Sequence, residues 1–80
     1  MNKAVLLVEL QTELVREETI LSRIASRYDV AVKENDPTRH SLLISYGEHY
    51  VELLSLRDQI EHIEAELEYE ALPFWKKLFR

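Results

Sequence analysis

Between Leu42 and Leu67 the chain reads LLISYGEHYVELLSLRDQIEHIEAEL, and one periodicity runs through all of it. On a seven-residue repeat, Tyr46, Leu53, Ile60 and Leu67 share one position, and Leu42, His49, Leu56 and Ile63 share the position that alternates with it. Seven of these eight residues are apolar or aromatic, spaced by three and four, which describes a helix with a narrow packing seam. A strand needs strict alternation, and Leu53-Leu54-Ser55-Leu56 and Ile60-Glu61-His62-Ile63 do not alternate. Glu48, Glu52, Arg57, Asp58, Glu61, Glu64, Glu66 and Glu68 supply the wet faces. Asp36-Pro37 suits a helix start, since the carboxylate can cap free amides and Pro fits the first turn. Gly47, the only glycine, is the weak position, costing about 1 kcal/mol against Ala. It marks a close helix approach, a kink, or the end of a different element.

Upstream, Asn2 is placed to cap a first helix whose seam is Leu7, Leu10, Leu14, Leu21, Ile24 and Tyr28, interrupted by Glu17. Val8, Val15 and Ile20 widen its apolar face, which implies more than one packing neighbour. Its charges include the like-charged one-turn pairs Glu9 with Glu13, Glu13 with Glu17, and Arg23 with Arg27, so tertiary packing must hold it. The expected fold is all-α: an antiparallel two-helix hairpin, about 3–33 and 37–72, broken at Asn35-Asp36-Pro37 and followed by a short aromatic-basic tail. The domain division is 1–72 for the hairpin and 73–80 for the tail. An α-β-β-α arrangement is the alternative, with Val30-Ala31-Val32 pairing with Leu42-Leu43-Ile44 and Gly47 ending the second strand.

Two rods of about thirty residues are each about 45 Å long and expose most of their surface. One seam between them buries too little apolar area to offset chain ordering. A second copy, giving a four-helix bundle, or a larger protein is expected to cover the remainder. The residues assigned to a dimer interface are Leu10, Leu14, Leu21, Ile24, Tyr46, His49, Leu53, Leu56, Ile60, Ile63 and Leu67. Val8, Val15, Ile20, Leu43, Tyr50 and Leu54 lie off the main seam as candidates for the second contact.

Eighty residues with a net charge of −5 and no cysteine bound the chemistry to a single domain without disulfides or thiolate metal sites. The acid is concentrated from Pro37 to Leu72, with eight acidic and two basic residues, a poor surface for nucleic-acid phosphates but one suited to a basic protein or simply to water. The apolar run Ala4–Val8 is short, is broken by Glu9 and lacks a small-residue cleavage site, so neither a signal peptide nor a membrane span is expected and a cytoplasmic location is.

Catalytic and metal chemistry find little support. The residues three before His40, His49 and His62 are Pro37, Tyr46 and Gln59, so the Glu-x-x-His pattern of di-metal bundles is missing. His49, on the seam, is expected to hydrogen-bond a polar group across the interface. Ser41, Ser45 and Ser55 have no glycine-rich elbow, and one glycine cannot build a phosphate loop. No enzyme activity, cofactor or metal is expected.

The tail Phe74-Trp75-Lys76-Lys77-Leu78-Phe79-Arg80 holds the only Trp and both Phe residues. Phe74, Trp75, Leu78 and Phe79 fall on one side of a helical turn, with Lys76, Lys77 and Arg80 on the other. The plain reading folds the aromatic residues back over the end of the bundle, with Lys76 and Lys77 meeting Glu68 and Glu70 of a neighbour. The second makes Phe74, Trp75, Leu78, Phe79, Lys76 and Lys77 a partner-binding element with Trp75 as anchor. The third lays the tail on a membrane surface.

Leu21–Glu34 (LSRIASRYDVAVKE) resembles the middle of lysin-motif domains, which read Leu-x-x-Ile-Ala-x-x-Tyr-x-Val. It is also similar to the first helix and turn of a helix-turn-helix, Ile-Ala-x-x-x-Gly-Val, which implies DNA binding through residues 21–35. The lysin motif's preceding Gly-Asp-Thr is Glu17-Glu18-Thr19 here with Ile20 extra, the helix-turn-helix glycine is Asp29, and the apolar anchor of its second helix is Asn35. An ordinary amphipathic helix end accounts for the same residues. The function expected is that of a non-enzymatic protein-binding module, a small acidic helical regulator or adaptor of the inhibitor or chaperone-like kind, acting with itself or another protein. A peripheral membrane component and a DNA-binding regulator are the alternatives.

Overall fold

Asn2 starts the first helix as its sequence position suggests: its side-chain oxygen accepts the Ala4 N–H at 2.8 Å. Helix α1 then runs Lys3–Lys33, α2 runs Arg39–Ala71, and a single-turn α3 runs Phe74–Leu78. The computed structural model describes residues 2–78, about 90% of them helical and none in a strand. The expected helices of about 3–33 and 37–72 are therefore present with the second trimmed at each end, and the α-β-β-α alternative is overturned.

The reason lies in the connection. Val30, Ala31 and Val32 stay helical because their carbonyls are taken up by the helix end: Glu34 N–H donates to Val30 at 3.0 Å, Asn35 N–H to Val32 at 3.2 Å, and Asp36 N–H to Ala31 at 2.8 Å. The last two bonds make a Schellman cap, which needs a left-handed residue beyond the helix. Asn35 takes that position with φ 53°, and its side-chain oxygen accepts from the Arg39 guanidinium. Asp36 then turns the chain into α2. Its carboxylate accepts the Thr38 N–H at 2.9 Å and its carbonyl the Arg39 N–H at 3.2 Å. Asp36 caps as expected, but Pro37 lies in the turn and α2 begins two residues later.

Gly47 is neither a strand end nor a point of close approach. It sits inside α2, and a Cβ built there would meet nothing within 4 Å. The turn at Asp29 that a helix-turn-helix requires is not formed, since α1 is continuous to Lys33. At the other end Leu72 is extended (φ −70°, ψ 144°), the geometry imposed on a residue before proline, and this stops α2. The Pro73 carbonyl accepts the Lys76 and Lys77 N–H groups at 3.0 and 3.3 Å, starting α3.

The two long helices pack against each other in opposite directions. Lys3 at the start of α1 bridges Glu66, at 3.2 Å, and Glu70 near the end of α2. Midway, Glu17 of α1 meets His49 of α2. Leu10, Leu56, Ile60 and Ile63 form the buried cluster, with Leu6, Leu7, Leu14 and Leu67 packed on it. Each such side chain contributes about 1.5–3 kcal/mol when fully buried.

Packing fades toward the connection. There α1 offers Ser22, Ala25, Ser26 and Asp29, too small or polar to fill the space against Leu42 and Tyr46, and open grooves remain on both sides of the seam. The result is a rod of 62 × 23 × 15 Å with a radius of gyration of 18.7 Å, against about 12 Å for a globule of this length.

Candidate functional site

The eleven seam residues assigned to a dimer interface are used first inside one chain. Leu10, Leu21, Leu53, Leu56, Ile60 and Ile63 are buried between α1 and α2, while Leu14, Ile24, Tyr46, His49 and Leu67 are half-buried along the same seam. Other apolar positions stay exposed on the rod.

On α2, Leu43 and the residues four, seven and eleven after it, Gly47, Tyr50 and Leu54, share one face. Leu43 is 54% exposed, Tyr50 44% and Leu54 45%, and Ile44 and Val51 beside them are more exposed still. The Tyr50 ring stacks on Tyr46 with centroids 6.2 Å apart and planes 12° from parallel. Beside this stripe the seam opens into two shallow grooves that share Ala25 and Tyr46. These off-seam positions were legible from the excess apolar residues in the sequence.

On the back of α1, Val5, Val8, Thr12, Val15 and Thr19 alternate by three and four without a charge among them. Thr12 and Thr19 donate their hydroxyls to the carbonyls of Val8 and Val15 at 2.9 Å, so the hydrogen-bonding need of each is met within the helix. Val8 and Val15 were expected to lie off the seam and are exposed; the continuity through Val5, Thr12 and Thr19 was missed, because threonine does not register in a count of apolar residues. Ile20 is half-buried.

A third feature is an open groove of about 690 Å³ at the connection, with Val30, Ala31 and Leu42 among its lining and Arg27, Glu34 and Asp36 on it. Asp36 is held below the ordinary carboxylate range by the Thr38 backbone N–H first and the Thr38 hydroxyl second.

The tail does not fold back over the helix ends. Phe74 is 76% exposed, Trp75 60% and Leu78 66%. The basic residues lie over rings, Lys77 over Tyr69 at 5.5 Å and Lys76 over Trp75 at 5.3 Å. Phe79, also assigned to the partner-binding set, lies outside the described residues, as does Arg80. Nearby, Lys3 is drawn above the usual lysine range by Glu70 and then Glu66, and Glu66 also meets His62 at 2.9 Å.

Among the described residues no three His, Asp or Glu side chains come together as a metal-binding group, and no helix is long and apolar enough to cross a membrane. Compared with known proteins, the chain matches no family model, no curated protein and no solved structure.

Proposed function

We propose that the protein is a non-enzymatic protein–protein interaction module: a small acidic helical regulator or adaptor of the inhibitor or chaperone-like kind, whose helical hairpins pair into a four-helix bundle or join a heterocomplex. The observation that carries this reading is surface. A compact 9.5 kDa monomer exposes about 5,000 Å². This chain exposes 6251 Å², an excess of about 1,200 Å². Each partner in a standard interface hides about 800 Å². The excess is thus large enough to supply one such interface. The apolar stripes on α1 and α2 provide its chemistry, and α3 offers Trp75 and its neighbours to a protein groove. Sedimentation velocity or light scattering across a concentration series tests it. Association into dimers is expected, and a folded monomer at every concentration, with Trp75 emission indifferent to any protein added, would overturn it.

A second reading rests on the tail alone. Exposed Phe74, Trp75 and Leu78 beside Lys76 and Lys77 suit a membrane interface. Flotation with anionic vesicles of the intact chain, but not of one ending at Leu72, would favour it; five helical residues bind weakly by themselves.

A further inference from the structure

We infer that the Leu43–Gly47–Tyr50–Leu54 face of α2 is the contact between two copies of the chain, crossed antiparallel about a two-fold axis between Gly47 and Tyr50; this rests on the self-association proposed above and names its surface.

The spacing of the four residues is four, three, four, and it reads the same in both directions. Turning a second copy about that axis sets Leu43 of each chain against Leu54 of the other, and Tyr50 of each against Gly47 of the other. A two-fold contact must be self-complementary in this way. Its steric terms fit as well. Gly47 is exposed and the place of its missing side chain is open space to 4 Å, a gap in the stripe that the partner's larger side chain can use as a socket. Tyr50 is the bulkiest residue on the stripe, and its stack on Tyr46 holds it ready as the knob. A side chain already stacked on a neighbour loses less entropy on binding.

The alternatives fit worse. A parallel pairing sets Tyr50 on Tyr50 and leaves Gly47 facing Gly47 across a void. It also brings Arg57, one turn past Leu54, against its own copy, whereas the antiparallel crossing sets Arg57 opposite His40. Between those two ends the facing positions Leu43, Ile44, Tyr46, Gly47, Tyr50 and Val51 carry no charge. Glycine inside an exposed helix is otherwise a loss of about 1 kcal/mol against Ala with nothing in the single chain to require it.

The test separates this surface from self-association in general. Gly47→Gln fits the open space of a single chain and improves helix propensity, so at dilutions where wild type is monomeric the thermal midpoint of the fold should not fall. It fills the socket, and sedimentation should show association weakened at least tenfold. Independently, because the chain has no cysteine, copies carrying Leu43→Cys can be mixed with copies carrying Leu54→Cys and oxidised. Mixed disulfides should exceed links between like copies. A wild-type dimer that Gly47→Gln leaves intact, or links that join Leu43→Cys copies to each other, overturns this surface while leaving self-association standing. A wild-type monomer at every concentration overturns both.

Discussion

Glu17 Oε2 and His49 Nδ1 lie 2.8 Å apart, and they are the polar interruptions of the two seams that face each other. Each side chain is partly covered, Glu17 to 16% and His49 to 35% exposure. A polar pair in an apolar seam fixes register, because sliding one helix by a turn leaves both groups unpaired. Replacing His49 by Leu strands the more covered carboxylate and should cost about 1–2 kcal/mol. Replacing both by Leu should recover that loss, at the expense of a unique register. Urea titration of the two single variants and the double, read as a double-mutant cycle, checks the coupling. Additive effects would show that the pair does not act as a unit.

Leu56 is the most deeply buried side chain, 2% exposed, at the centre of the cluster with Leu10, Ile60 and Ile63. Leu56→Ala removes three carbons from the most covered site of the core and should cost about 2–5 kcal/mol. For a rod with so small a core that is a large share of total stability. Circular dichroism of the variant at 25 °C should show most of its helicity lost, whereas Val51→Ala, at a position 67% exposed, should leave the signal intact.

These residues show what a single sequence can and cannot convey. The periodicity of Tyr46, Leu53, Ile60 and Leu67 with Leu42, His49, Leu56 and Ile63 is local, so the helix and its seam were readable. Glu17 and His49 were each visible as interruptions, yet their meeting depends on how far one helix slides along the other, which no local period encodes. Val30-Ala31-Val32 left a strand open as the alternative because alternation over three residues is too short to exclude one; the left-handed Asn35 settles it by closing a helix cap. For the tail, the sequence left packing over the helix ends and exposure to a partner both open. Aromatic residues are expected to seek cover, but Leu72-Pro73 stops α2 and starts a new turn that points Phe74 and Trp75 away from the core.

Acid should weaken the cap that Asp36 makes. The Thr38 N–H and then its hydroxyl hold the Asp36 carboxyl below the usual aspartate range in the folded chain. A carboxyl with a lowered folded-state pKa stabilises the fold above its unfolded value and loses that contribution as pH falls through the folded one. Wild type should therefore melt above Asp36→Ala at neutral pH, with the gap closing as pH drops into and below the aspartate range. Thermal melts of both proteins from neutral to acid pH would read it, and a constant gap would place the effect in backbone conformation instead.

Asn35 gives the complementary test of the same connection, through conformation and not charge. At φ 53° it occupies the left-handed region, where a side chain is normally penalised and asparagine is tolerated. Asn35→Gly removes that penalty but frees the unfolded chain and loses the bond from Arg39, so its net effect should lie within about 0.5 kcal/mol of wild type. Asn35→Val places a β-branched residue where it fits worst and should cost about 1–2 kcal/mol. Because the bonds from Asn35 and Asp36 to Val32 and Ala31 depend on that geometry, hydrogen exchange should quicken first at the amides of Asn35 and Asp36, before the core around Leu56 responds. Uniform acceleration along α1 would mean that the cap and the core open as one unit.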